Sequence, residues 1–163
     1  MRAFVYERPD RLADALALMA GDGDARPLAG GTDLIIRIRD GSIRPRTVVD
    51  VKSISEFSDG IDVADGWLRI GARTTMTDLL RDERVRRDYA ALAEAAAYVG
   101  SVQIRNRATL AGNICNASPA ADTAPALTAQ LSTPSPAGTF CIEIRDAGAL
   151  AQSSTFAVRI VHP

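Results

Sequence analysis

The apolar positions of this chain change period several times, and each change marks an element. Met1 to Tyr6 alternates as a short strand does. Asp10 to Ala20 follows helical spacing, with Leu12, Leu16 and Met19 on one side and Ala13 and Ala17 beside them. Asp10, directly after Pro9, takes the position of an N-cap, and Gly21-Asp22-Gly23-Asp24 ends the helix in a loop. Arg26 to Ala29 predicts a short buried strand that runs into Gly30-Gly31. Asp33 to Arg39 predicts a second helix, apolar through Leu34, Ile35 and Ile38 and terminated by Gly41. Thr47 to Val51 is a β-branched strand. Strand, helix, strand, helix, strand is the order expected of parallel strands joined by helical crossovers.

A second lobe is predicted from Ser53. Asp65-Gly66 is a hairpin turn signal between Ile61-Asp62-Val63 and Trp67-Leu68-Arg69-Ile70. Thr74 or Thr75 is placed to cap a helix over Met76, Leu79 and Leu80. Tyr89 to Val99 is Ala-rich and helical, Gly100 stops it, and Ser101 to Arg107 reads as a mixed connector. Pro119 opens a further helix over Ala120 to Leu127. Beyond Leu127 the periodicity fades into Ser, Thr, Pro and Gly, with one short strand at Ile142 to Ile144. The expected division is 1–52, 53–127 and a divergent tail, 128–163, outside the pattern of the rest.

Composition narrows the function classes. A length of 163 residues supports one domain or two small lobes. The formal net charge is −1 and the pI about 5.8, which gives no electrostatic reason to expect nucleic acid or an anionic membrane. The arginines between Arg81 and Arg87 are interrupted by Asp82 and Glu83 and read as a solvated helix face. Two cysteines, Cys115 and Cys141, cannot form a zinc site, and the single histidine, His162, excludes a histidine-based triad or multi-histidine metal site. Cys115 reads as a small packed residue, Trp67 as core or hairpin packing, and Tyr98 as a core aromatic or one that stacks on a ring system. The start, MRAFVYERPD, has no signal-peptide apolar region, and no run approaches a bilayer span. The expectation is a soluble cytoplasmic protein.

Two Gly-centred stretches carry the candidate chemistry: Pro27-Leu28-Ala29-Gly30-Gly31-Thr32-Asp33-Leu34, and Thr109 to Pro119 around Gly112-Asn113. A strand that enters Gly30-Gly31 and leaves into a helix exposes backbone N–H groups, the geometry of a phosphate cradle. Thr32 adds a hydroxyl, while Asp33 would cap the helix or accept from a ligand hydroxyl. Around Gly112, Thr109, Asn113, Asn116 and Ser118 are neutral donors suited to a diphosphate or ribityl chain. The residues alone leave a plain strand-turn-helix and a self-bonded Asn-rich loop as alternatives. Arg105 and Arg107 would either neutralise a diphosphate or pair with nearby acids.

With the longer run from Ile104 to Asp122, these stretches resemble the FAD-binding (medium) subunit of the molybdenum hydroxylases, of the xanthine dehydrogenase and carbon monoxide dehydrogenase flavoprotein type. The resemblance covers Met1 to Leu127. It implies an α/β (α+β) FAD-binding fold of the vanillyl-alcohol-oxidase/PCMH type, with two FAD-binding subdomains and an incomplete C-terminal part. It also implies that Pro27, Leu28, Ala29, Gly30, Gly31, Thr32, Asp33 and Leu34 form one wall of the diphosphate site. Thr109, Gly112, Asn113 and Ser118 would form the other, and Asp122 would bond the adenosine or ribityl portion. Ala111 stands where many members have glycine. The implied function is an oxidoreductase subunit without catalytic or metal residues of its own. It would pass electrons from a molybdopterin-binding large subunit and an iron–sulfur small subunit through FAD to NAD or another acceptor. The tail departs from the family, as a truncation or frame disruption would make it, and with it goes part of the enclosure of the flavin ring. A truncated non-catalytic remnant and a stand-alone flavin- or nucleotide-binding module are the alternative functions.

Overall fold

The structure is a computed structural model that describes residues 2–64, 67–116, 121, 123, 124 and 126, with the backbone alone at 64, 67, 141–143 and 157–159. The first lobe is the expected alternation. Strands β1 (Val5–Glu7), β2 (Arg26–Leu28) and β3 (Thr47–Asp50) form a parallel sheet in the order β1-β3-β2. The register pairs Val5 with Thr47, Arg26 with Val48 and Leu28 with Asp50. The central strand β3 is β-branched at Thr47, Val48 and Val49, and both valines are completely buried. Helices α1 (Leu12–Gly21) and α2 (Leu34–Arg39) make the crossovers. Ala15, Ala25, Val49 and Ile54 form the buried core under α1, flanked by Leu12, Leu18, Met19 and Phe57. Gly41 ends α2 at φ +82, where glycine has no steric cost.

The N-terminus of α1 differs from expectation. Arg11 occupies the N-cap position without a side-chain cap, because Asp10 is one residue too early. The Asp10 carbonyl instead accepts from the Ser55 N–H at 3.0 Å and ties the helix start to the segment after β3.

In the second lobe, β4 (Ile61–Ala64) and β5 (Trp67–Ile70) pair antiparallel as the hairpin predicts. Two short strands of the tail, β6 (Cys141–Glu143) and β7 (Ala157–Arg159), extend this sheet in the order β4-β5-β6-β7. The turn residues 65 and 66, the Trp67 side chain and most of the tail lie outside the described residues. Helices α3 (Met76–Arg81), α4 (Glu83–Asp88) and α5 (Ala90–Tyr98) pack on one core, centred on Met76, Leu79, Val85, Leu92 and Ala96.

Thr75 caps α3 through a capping box with Asp78. Asp82 caps α4 through the N–H groups of Arg84 and Val85, so the basic stretch lies on two helices, with Arg81, Arg86 and Arg87 exposed as expected of a solvated face. Arg84 is tied down there by Asp82 and by the Ile61 carbonyl at 2.7 Å. The expected connector after Gly100 holds a helix, α6 (Val102–Arg105), capped by Ser101. Tyr98, expected in the core, is 80% exposed, and Cys115, expected as a packed residue, is exposed as well. Both sit at helix C-termini, where small helical deviations turn a side chain from core to solvent.

Candidate functional site

The first Gly-centred stretch lies at the carboxyl end of the parallel sheet, the end at which open α/β sheets bind ligands. Pro27 and Leu28 belong to β2, Ala29 to Asp33 form the loop, and Leu34 begins α2. Gly31 has φ +76, which a side chain disfavours. Asp33 occupies the N-cap position of α2 but makes no cap hydrogen bond. Among the described residues, the N–H groups of Gly30, Gly31 and Thr32 have no hydrogen-bond acceptor.

Gly30 is required for a reason the spacing does not reveal. A Cβ at this position would stand 2.0 Å from the Arg107 carbonyl oxygen and 3.1 Å from the Ala108 Cα. The first stretch is therefore seated directly on the backbone that leads into the second. Residues some 80 apart in sequence form one seam between the lobes.

The second stretch is more ordered than a loop. Thr109 is the N-cap of helix α7 (Leu110–Cys115), and its hydroxyl accepts from the Gly112 N–H at 3.0 Å. Gly112 is thus a first-turn helical residue, and a Cβ there would stand 2.8 Å from the Thr109 Oγ1. The segment is anchored by Met76 N–H to the Ala108 carbonyl at 2.9 Å and Leu110 N–H to the Thr74 carbonyl at 3.1 Å. Asn113 Oδ1 accepts from Thr123 at 2.5 Å, which turns the amide nitrogen of Asn113 the opposite way. Asn116 follows as the C-cap of α7. Ser118 and Asp122 lie outside the described residues. Because α2 and α7 have only six residues each, loop N–H groups and side chains, rather than helix dipoles, supply the polar character of the seam.

Three residues beside the seam were not singled out by any motif. Asp50, at the end of β3, is 3% exposed and accepts from the Tyr6 hydroxyl and from the Lys52 N–H. Its carboxylate pairs with the Lys52 ammonium at 2.6 Å. Burial pushes the Asp50 pKa up, but the hydrogen bonds from Lys52 and Tyr6 together outweigh burial and hold it below the ordinary value. The Tyr6 hydroxyl is raised, chiefly by that same hydrogen bond. Lys52 Nζ also donates to the Ala29 carbonyl at 3.3 Å. Arg73, from the turn after β5, donates through Nη1 to the Lys52 carbonyl at 3.0 Å, while its Nε is buried without a hydrogen-bond partner. The sequence carries no signal for this group, because the pairing of Leu28 with Asp50 that places it beside the loop is a tertiary register.

Among the described residues, neither of the two arginines before the second stretch forms an ion pair with an acid. Arg105 donates through Nη1 to the carbonyls of Ala97, Val99 and Gly100 and so closes the C-terminus of α5. Arg107 contributes its backbone to the seam. Among the described residues, no three His, Cys, Asp or Glu side chains converge as a metal site, and no helix is long and apolar enough to cross a membrane. Two open depressions in the first lobe, one beside Arg8, Asp14 and Asp22 and one beside Phe4, Arg39 and Arg44, are lined by neither Gly-centred stretch.

Comparisons with known proteins agree with the motifs. The family model for the FAD binding domain in molybdopterin dehydrogenase matches residues 2–153. The xanthine dehydrogenase FAD-binding subunit of Escherichia coli O157:H7 is 45% identical over 120 residues, 73% of this chain and 41% of that protein. The nicotinate dehydrogenase FAD-subunit of Eubacterium barkeri is 38% identical over 130 residues, 78% of this chain and 44% of that protein. Among solved structures, the reconstituted CO dehydrogenase from Oligotropha carboxidovorans superimposes with a TM-score of 0.71 at 33% identity, over 75% of this chain and 43% of that chain. The chain thus spans about two-fifths of the length of the curated relatives it matches. The α/β fold class expected from the resemblance is borne out by this likeness. A family model that covers nearly the whole chain, relatives named as FAD subunits of dehydrogenases, and the meeting of both Gly-centred stretches lead to one statement: the chain belongs to the family of FAD-binding domains of molybdopterin dehydrogenases.

Proposed function

We propose that this chain is the FAD-holding part of a molybdenum hydroxylase. In this role it passes electrons from molybdenum and iron–sulfur centres on partner subunits through FAD to NAD or another acceptor. The observation that carries the reading is the seat of Gly30 on Arg107 and Ala108, which joins the two motif stretches in one seam. The donor chemistry of that seam fits a diphosphate. The N–H groups of Gly30, Gly31 and Thr32 lack acceptors among the described residues, and Arg73 keeps a buried N–H without a partner. The acid beside these donors, Asp50, is paired with Lys52 and so does not repel an anion as a free carboxylate would.

Within this reading, Pro27 to Leu34 form the first wall, and Thr109, Gly112, Asn113 and Ser118 the second, with Asp122 on the adenosine or ribityl portion. Residues 1–52 and 53–127 are the two FAD-binding subdomains, and 128–163 is the divergent tail. The bound flavin would supply the redox chemistry, taking up a pair of electrons and releasing it to an acceptor. The residues of this chain bind the diphosphate, orient it and exclude water from it. The partners are a molybdopterin-binding large subunit and an iron–sulfur small subunit, and the assembly works in the cytoplasm without nucleic acid or membrane.

The test is direct. The purified chain is titrated with FAD while flavin fluorescence and the visible absorbance band are followed. Saturable quenching at micromolar FAD supports the reading. A chain that is folded by circular dichroism yet leaves the fluorescence unquenched at tens of micromolar FAD refutes it.

A further inference from the structure

Lys52 sits where the sheet, the first Gly-centred loop and the second lobe meet. Its backbone is fixed on both sides: the N–H donates to Asp50 Oδ1 at 3.0 Å, and the carbonyl accepts from Arg73 Nη1 at 3.0 Å. Its side chain then folds back, so that the ammonium lies 2.6 Å from the Asp50 carboxylate and 3.3 Å from the Ala29 carbonyl oxygen. A lysine side chain is ordinarily one of the most mobile, with a rotamer entropy of up to about 2 kcal/mol. Here it is only 37% exposed and is held by a carboxylate that is itself buried. An ordered ammonium in this place has a consequence for the loop. The Ala29–Gly30 peptide is trans, so its C=O and N–H point in opposite directions. Holding the Ala29 carbonyl toward Lys52 therefore turns the Gly30 N–H away from Lys52, and that N–H has no acceptor among the described residues. Without the ammonium, glycine on one side of the peptide would let the plane rotate, since Gly30 has no Cβ to resist it.

We propose that Lys52 is a positioning residue for the flavin diphosphate: by holding the Ala29 carbonyl, it aims the Gly30 N–H as a donor. This rests on the flavin reading given above. Lys52 acts through the peptide and does not touch the ligand. Asp50 is the anchor of the device, and Arg73 ties the same residue to the second lobe, so the orientation of the first loop is set with reference to both lobes.

Two measurements test it on the full chain. The first needs no flavin. In ¹⁵N-labelled protein, Lys52→Met keeps the apolar stem and removes the ammonium, and the Gly30 amide resonance is expected to shift while the Gly112 amide does not. An unmoved Gly30 resonance overturns the proposal whether or not the chain binds FAD, so its failure is distinguishable from failure of the flavin reading. The second is the FAD affinity by fluorescence quenching. Lys52→Met is expected to weaken binding about tenfold, a loss of about 1.4 kcal/mol, together with a lower melting temperature because Asp50 loses its counter-ion, and Lys52→Arg is expected to recover most of both. Equal affinity of Lys52→Met and parent overturns the proposal. So does a Lys52→Met variant that abolishes the salt dependence of FAD binding, because the ammonium would then act on the ligand itself.

Discussion

Gly30→Ala is the substitution that tests the seam most sharply. The added methyl would lie 2.0 Å from the Arg107 carbonyl oxygen and 2.8 Å from its carbonyl carbon. Ordinary van der Waals contact begins near 3.4 Å, so the two segments must separate by roughly 1.4 Å. Both opposing groups are backbone, and neither can escape by changing rotamer. One directly follows β2, which is held by its pairing to the buried β3, and the other is held by the hydrogen bonds from the Met76 N–H to the Ala108 carbonyl and from the Leu110 N–H to the Thr74 carbonyl. The cost therefore lies at the upper end for overpacking, about 3 kcal/mol. For a chain of this length, that lowers the melting temperature by about 6–12 °C.

Thermal unfolding by circular dichroism reads this directly, with Gly23→Ala as the comparison. A Cβ at Gly23 meets nothing within 4 Å, and that variant is expected to stay within about 0.5 kcal/mol of the parent. FAD affinity, measured alongside, is expected to fall for Gly30→Ala and to hold for Gly23→Ala. A Gly30→Ala protein that melts within a degree or so of the parent would refute the argument, because the lobes would then not be seated on each other through this residue.

Thr75→Ala removes the capping box with Asp78 and is expected to cost about 1 kcal/mol in urea unfolding, most of which Thr75→Ser restores. Leu79→Ala opens a cavity in the second-lobe core, where Leu79 is completely buried, and is expected to cost about 2–5 kcal/mol by the same measurement. Asp50 has a folded pKa below its unfolded value, so its contribution to stability is complete above about pH 4 and is lost as the pH falls through the folded value. Asp50→Asn is therefore expected to be less stable than the parent at neutral pH and to lose less stability on acidification below about pH 4. Parallel stability-against-pH curves for the two proteins would show that Asp50 does not carry this dependence.

Much of this protein is legible in its sequence. The two periodicities, the β-branched run at Thr47 to Val49 and the threonine cap at Thr75 are local, and local physics decides strands, helices and helix starts. The motif around Gly112 and Asn113 is long enough to carry the family by resemblance. Where local signals misled, a neighbour in space had the final word. Asp10 does not cap α1 because the helix starts one residue later, with Arg11 at the N-cap position, and the cluster from Arg81 to Arg87 falls on two helices because Asp82 caps the second. Arg105 bonds three carbonyls at and just beyond the end of α5 rather than an acid.

What the sequence by itself determined is the set of elements and the presence of two glycine-centred stretches. Only the tertiary structure decided that they meet in one seam. Parallel pairing of β2 with β3 brings Ala29 to Lys52, and the packing of the lobes brings Gly30 to Arg107. Both contacts join residues far apart in the chain, through backbone carbonyls that no residue type announces. Glycine was readable as a freedom in the chain, and the fold uses Gly30 as a close approach between two backbones.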